Sequence, residues 1–419
     1  MSLNWKRILL LIGFLLIVVI IAYLLYLFFL KPGIPTTPAT NTNTDVTGIL
    51  PAANVNGNIP VNANAGTLTP GTNTSVAAPP AELPAGSAVA SEIANGGLTK
   101  TKSLTTEKSY GTTLSGDGSS LLYYNKDSSH FYRITASGKQ TLLADKVFYE
   151  VENITWSPDK NQAILEYPDG SNIIYNFKTN EQITLPKHWE DFSFSPNGNE
   201  IVFKSIGSGE ENRWLAISKA DGSQAEKIEL LGNKDATVFP DWSPNNQVIA
   251  TFVEDETADR QTLYFVGLND ENFKSTTLEG RGFEGVWSTS GDLLLYSVYS
   301  SQTDFKPSLW IVSAQGENIG GNRKSLSLET WADKCSFTNN ETVYCAVPKD
   351  LTEGAGIFYQ ELDNSPCDIY KIDLKTGYKS IIATPSEDQN IETVVVSGDG
   401  SYLYYTSNDD GRIYQIRLK

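Results

Sequence analysis

The chain has 419 residues, with 32 basic against 49 acidic side chains, a formal net charge of −17, three Cys and two His. That balance argues against a nucleic-acid binder, which depends on basic contacts to phosphate. So few Cys and His argue against a Cys/His zinc site, whereas an acidic surface suits solubility, cations and basic partners.

In chain order, residues 1–7 read as a short cytoplasmic N-terminus and Ile8–Leu30 as a transmembrane helix. The latter is 23 residues without a charge, enough at about 1.5 Å per residue to cross a hydrocarbon core of about 30 Å. Lys6 and Arg7 precede it, which predicts the N-terminus inside the cytoplasmic membrane and the rest of the chain outside. A cleaved signal peptide is the competing reading. Against it, the apolar run is longer than the usual h-region and ends in bulky Leu27-Phe-Phe-Leu30 rather than small residues. Residues 31–97 are rich in Thr, Asn, Ala and Pro and lack periodicity. They read as a flexible linker, unable to bury enough apolar surface to offset chain entropy.

From residue 98 a motif recurs: an apolar residue, then Ser or Thr, then turn formers, then a strand-like run. Its clearest copies are Trp156-Ser-Pro-Asp159, Phe194-Ser-Pro-Asn-Gly198, Trp242-Ser-Pro-Asn245 and Trp287-Ser-Thr-Ser-Gly291. The Ser/Thr positions are 115, 157, 195, 243, 288, 338 and 397, a spacing that predicts a β-propeller. Each unit divides into four short strands, so residues 98–419 are expected to form an all-β, seven-bladed propeller of four-stranded antiparallel blades. The last unit stops after three strands. Leu98–Thr106 resembles the fourth strands of other units and is expected to close the ring, removing two sheet edges.

These motifs resemble the TolB-like, WD-repeat-like β-propeller family, with its W-S-P-D-G core and a later Ile-Tyr strand, seen here as Ile174-Tyr175, Ile369-Tyr370 and Ile413-Tyr414. The resemblance implies a propeller that binds or scaffolds on the envelope side rather than one that catalyses a reaction. No G-x-S-x-G nucleophile elbow occurs in the sequence.

Counting four residues back from each repeat aromatic or its equivalent gives Tyr110, Glu152, Glu190, Val238, Phe283, Asp333 and Glu392. Four of the seven are acidic, at the expected mouth of the central channel. Gathered around one axis, Glu152, Glu190, Asp333 and Glu392 can raise one another's pKa or hold a cation such as calcium; the alternative is a set of solvated loop carboxylates. The insertion Pro348–Pro366 carries Phe358 and Tyr359 beside Trp189, Phe283 and Trp331 on neighbouring connections. It predicts an aromatic binding surface, against the alternative of packing between blades. Asp117, Asp159 and Asp399 read as turn-forming residues, and His130 and His188 as structural. Cys335 and Cys345 fall opposite each other across a hairpin turn and predict a disulfide. Cys367 is a competing partner for Cys345, and buried free thiols are the alternative.

Taken together, the sequence predicts a non-enzymatic, single-pass membrane protein without a cofactor. It would display a monomeric propeller that binds an envelope protein or peptide, a basic one suiting its charge, and no nucleic acid. The alternative is a glycan-binding or glycan-cleaving propeller using acids at the channel mouth.

Overall fold

The computed structural model of the protein describes residues 89–269, 271 and 273–419. Seven antiparallel sheets succeed one another along the chain, each running from an inner strand outward. The inner strands are Ser109–Leu114, Asn153–Trp156, Trp189–Phe194, Val238–Pro240, Arg281–Trp287, Cys335–Asn339 and Ile391–Val396, numbered here as blades 1 to 7. The fold is a seven-bladed β-propeller.

The repeated motif makes a hairpin turn held from inside. In blade 1 the buried Ser115 hydroxyl donates to Asp117 Oδ1 at 2.6 Å and accepts the Ser120 N–H at 3.1 Å, while Asp117 also takes the Ser119 N–H at 3.1 Å. Ser157 with Asp159, Ser195 with Asn197, Ser243 with Asn245 and Ser397 with Asp399 repeat the bond at 2.7–2.9 Å. One hydroxyl and one short polar side chain thus satisfy the turn's backbone donors, which is why the pattern recurs. The motif tryptophans join neighbouring blades: Trp156 Nε1 donates to the Gly111 carbonyl at 2.9 Å and Trp287 Nε1 to the Asp241 carbonyl at 3.3 Å. Apolar clusters lie between blades, as where Ile164, Ile174 and Leu185 of blade 2 meet Phe194, Ile201 and Phe203 of blade 3.

Ring closure differs in detail from the expectation. Only Lys102–Ser103 pairs as the fourth strand of blade 7, against Gln415 and Tyr414. Leu104 and Thr105 continue it, with the Leu104 N–H on the Ile413 carbonyl and the Ile413 N–H on Thr105 Oγ1. Leu98–Thr99 instead joins blade 6 as a parallel fifth strand on Lys379–Pro385. Residues 89–97, expected to belong to the flexible linker, are docked: the Ala94 N–H reaches the Arg417 carbonyl and the Gly96 N–H the Ile382 carbonyl, both at 2.8 Å. The exposed carbonyls of two outer strands give this segment backbone partners that its composition does not advertise.

Among the described residues, no helix is long and apolar enough to cross a membrane. The segment expected to span, 8–30, and the linker residues 31–88 lie outside the described residues. The single-pass anchor, with the N-terminus inside and the propeller outside the cytoplasmic membrane, is corrected on this point. It is withdrawn together with the membrane partner, the localisation and the envelope-bound function built on it.

Candidate functional site at the channel mouth

Inner strands begin, and second strands end, on one face of the ring, as the pairs Asn153 with Glu166 and Glu190 with Lys204 show. Several inner strands are bulged there, at residues 111–112, 191–192 and 282–283 and at Glu392. A bulge adds one residue to one strand and re-aims its side chain. At three of these bulges the chain turns left-handed, with Gly111 at φ 60°, Asp191 at φ 54° and Gly282 at φ 68°. Glycine accommodates this at blade 1, where a Cβ would meet Ile154 Cδ1 at 2.7 Å. Blade 3 places an aspartate in a conformation that only a few side chain types adopt readily.

The bulges shape a cavity of about 700 Å³ at the mouth, lined among others by Tyr110, Glu166, Asp191, Lys204, Phe239 and Glu392. Lys204 is buried and its Nζ lies 2.6 Å from Asp191 Oδ2, whose side chain is half exposed. Burial pushes the Glu166 carboxyl up to about 7, reinforced by the Asp191 carboxylate and opposed in part by a hydrogen bond from the Asp191 backbone. Glu392 is raised chiefly by burial, against the pull of Lys126 and Lys334. The Tyr110 hydroxyl is raised by burial and then by Glu392, and Lys126 Nζ stands 4.1 Å from the centre of its ring. Threonines 112, 155, 393 and 406 and Asn153 complete a polar wall, with Phe239 more than a third exposed as an apolar face.

Glu392 also lines a second cavity, of about 560 Å³, over blades 6 and 7. Asp333, Tyr359, Asp363 and Asp409 share its wall. Beneath it Lys334 is fully buried, 2.7 Å from Asp363 Oδ2 and 3.3 Å from Asn390 Oδ1, and it also donates to the Ile391 carbonyl. Tyr359 donates to Asp333 Oδ2 at 2.7 Å. Asp333 is open to the cavity yet ringed by protein, and that desolvation raises its carboxyl despite the bond from Tyr359 and the charge of Lys334. The nearby Glu284 is raised by burial and by Asp333.

The residues anticipated from the sequence divide. Asp333, Tyr359 and Glu392 line these cavities. Glu152 and Glu190 are exposed and line neither, and their neighbours Asn153 and Asp191 take the positions instead. Trp189, Phe283 and Trp331 are buried: Trp189 stacks on Phe203 at 3.8 Å and Trp331 on Tyr359 at 4.2 Å. Three of the five anticipated aromatics are thus largely buried, although Phe283 and Trp331 share with Tyr359 the wall of a cavity of about 340 Å³, and Phe358, at 55 % exposure, is freely presented. Cys335 and Cys345 are joined by a disulfide and are register partners, with Cys367 buried and free. Among the described residues no group of His, Cys, Asp and Glu has the arrangement to hold a metal ion, so the calcium considered from the sequence has no such cluster to occupy. Glu166, Asp191, Lys204, Glu284 and Asp363 escaped the sequence reading. Lys204 was detectable as a lysine inside the apolar strand Glu200–Ile206.

No family model matches the chain, and no curated protein matches it. Solved structures do. An oligogalacturonate lyase in complex with manganese aligns at 14% identity with a TM-score of 0.53, over 76% of this chain and 93% of its own. The β-propeller domain of Cps50 (Swd1) from Myceliophteria thermophila aligns at 10% identity and a TM-score of 0.49, over 76% and 100%. Hydrazine synthase from Kuenenia stuttgartiensis aligns at 12% and 0.46, over 80% and 99%. The chain has a seven-bladed β-propeller fold, and at these identities the likeness extends to the fold and no further. It also corrects the expectation of a purely binding, non-enzymatic module, because an enzyme shares the fold.

Proposed function

We propose that the channel mouth binds a glycan and cleaves it by acid–base chemistry. Glu166 is the proton donor, and Asp191, positioned by Lys204, is its anionic partner. The observation that carries this reading is the asymmetry of the two acids in one cavity: Glu166 is partly buried and pushed up to about 7, while Asp191 is half exposed and ion-paired at 2.6 Å. Environments that separate two carboxyl groups in this way create an acid and a base within reach of one bond. The hydroxyl- and amide-rich wall with an aromatic face at Phe239 suits a sugar, which presents hydroxyls at its edges and apolar C–H faces. A fold shared with an oligogalacturonate lyase is compatible with the reading.

The test is a panel of oligosaccharides incubated with the full chain, with products read by mass. Hydrolysis adds water across the broken bond, and elimination leaves an unsaturated end. Glu166→Gln and Asp191→Asn are expected to lower cleavage about 100-fold or more, the scale of a general acid or base, with melting preserved. Binding that is never followed by cleavage removes the acid–base role. No binding to any member of the panel overturns the proposal.

A further inference from the structure

The cavity of about 340 Å³ between blades 4, 5 and 6 adjoins the channel mouth. Its wall is mostly aromatic. The rings of Phe239 and Phe283 stand 5.9 Å apart, centre to centre and tilted by 55°, and Trp331 stacks on Tyr359 at 4.2 Å. Phe239 lines both this cavity and the one that holds Glu166 and Asp191, and more than a third of it is exposed. A chain molecule held at the two acids can therefore continue across the Phe239 ring into the aromatic cavity.

A carboxyl group breaks the apolar wall. Ser297 and Tyr359 are engaged, the first by the Ala332 N–H and the second by Asp333 Oδ2. Glu284 also lines the cavity, and its Oε2 is buried without a hydrogen-bond partner among the described residues. Protein seals that oxygen without satisfying it, so an occupant of the cavity is what can still bond the carboxyl group. Burial, then the charge of Asp333, pushes Glu284 up to about 8. Near neutrality it is an uncharged acid that both donates and accepts a hydrogen bond, the two roles that a sugar hydroxyl also plays.

The lining decides the charge of the occupant. No Lys or Arg stands in the wall, so an anionic sugar would be desolvated there without a partner. A cation would meet a Glu284 that keeps its proton and an Asp333 already taken by Tyr359. An uncharged sugar unit places its apolar C–H face on the rings and a hydroxyl on the acid, and the volume suits one such unit.

We infer that the cavity between blades 4, 5 and 6 is a subsite for an uncharged sugar unit of the glycan, stacked on Phe239 and hydrogen-bonded to Glu284. This rests on the glycan reading of the channel mouth and adds the charge class of the unit bound beyond Phe239.

The experiment is calorimetric titration at mildly acidic pH, where Glu284 keeps its proton. The full chain carries Glu166→Gln so that the probes stay whole. The probes are length series of cellulose-, starch- and mannan-derived oligomers, an oligogalacturonate, a deacetylated glucosamine oligomer and a short phenylalanine-bearing peptide. One neutral series is expected to gain at least about tenfold in affinity on the addition of the unit that passes Phe239. Glu284→Leu should bring the longer oligomers down to the affinity of the shorter ones, whereas Glu284→Gln, which keeps a donor and an acceptor, retains the gain. Melting of Glu284→Leu is measured first. If that variant fails to fold, Ile357→Trp at the exposed rim decides, because it is expected to block the cavity and erase the same gain. Equal affinity at every length, a gain that survives Glu284→Leu and Ile357→Trp, or a gain lost equally in Glu284→Gln overturns the inference and leaves the glycan reading standing. So does tighter binding of either charged oligomer than of every neutral series. Binding of the peptide alone overturns both readings. Binding of no probe overturns the inference, and the wider oligosaccharide panel then decides the glycan reading.

Discussion

A carboxyl group that keeps its proton toward neutrality records what surrounds it. Glu166 moves from the ordinary 4.5 to about 7 because folding buries it beside Asp191. The folded chain therefore binds a proton more tightly than the unfolded chain, and stability falls as pH rises through that window. Glu284 and Glu392 are shifted in the same direction and add to the slope. Melting temperature is expected to fall between about pH 4.5 and pH 7, with a shallower fall in Glu166→Gln. A slope identical in the variant would show that Glu166 is not the linked group. Lys334 poses the opposite problem, a buried charge that is stable only while paired. Lys334→Ala strands Asp363 in a buried site and is expected to cost about 3–5 kcal/mol. The double variant Lys334→Met with Asp363→Leu should recover most of that loss in a denaturant titration. A double variant as unstable as the single one would mean that packing, not charge, sets the cost.

Between residue and blade, β-bulges decide what reaches the channel. The repeat motif locates every inner strand, so blade number and strand order were legible in the sequence. Counting four residues back assumes that every inner strand alternates alike; it selected Glu190 in blade 3, and also Glu152 in blade 2, whose inner strand carries no bulge. The bulge at 191–192 breaks that alternation and delivers Asp191. A bulge has no fixed sequence signature, apart from a glycine such as Gly111 at the equivalent place in blade 1. Most of the anticipated aromatics are buried rather than exposed because large rings at blade junctions bury more area by stacking on neighbours than by facing solvent.

The insertion in blade 6 shows how a long connection becomes part of a site. Leu351 and Ala355 are buried against Trp331, and the Gly354 and Gly356 N–H groups bond to the Asp304 and Phe305 carbonyls of blade 5 at 2.9 and 2.8 Å. A Cβ at Gly356 would come within 2.5 Å of Tyr299 Cβ and 2.8 Å of the Phe305 carbonyl. Backbone is in the way, so the insertion must shift. Gly356→Ala is expected to loosen residues 350–363, raising amide exchange there, with the other blades unchanged. Unaltered exchange in that segment would show that the contact with blade 5 does not seat it.

At the scale of the whole ring, stability depends on the seam where Lys102–Thr105 meets Ile413–Arg417. Leu104 packs with Leu121, Tyr123 and Ile134 of blade 1 and with Tyr404 and Ile413 of blade 7, so the closing strand fills the interface that its hydrogen bonds align. Leu98–Thr99 extends the outer edge of blade 6, where Thr99 is fully buried, and adds no side chain to the seam between blades 1 and 7. The two halves of the N-terminal segment therefore contribute unequally. Deleting residues 89–97 should lower the melting temperature modestly, because it removes backbone bonds to outer strands. Leu104→Ala removes a buried side chain from the seam and is expected to lower melting by about 5 °C or more. Deleting residues 98–106 should lower it furthest and leave Ile413–Arg417 as an unpaired edge. Such an edge recruits another strand, so that variant is expected to associate as concentration rises, detectable by light scattering. If both deletions melted alike and stayed monomeric, closure would lie in the packing of blades 1 and 7 alone, and the strand would be an ornament on a ring already shut.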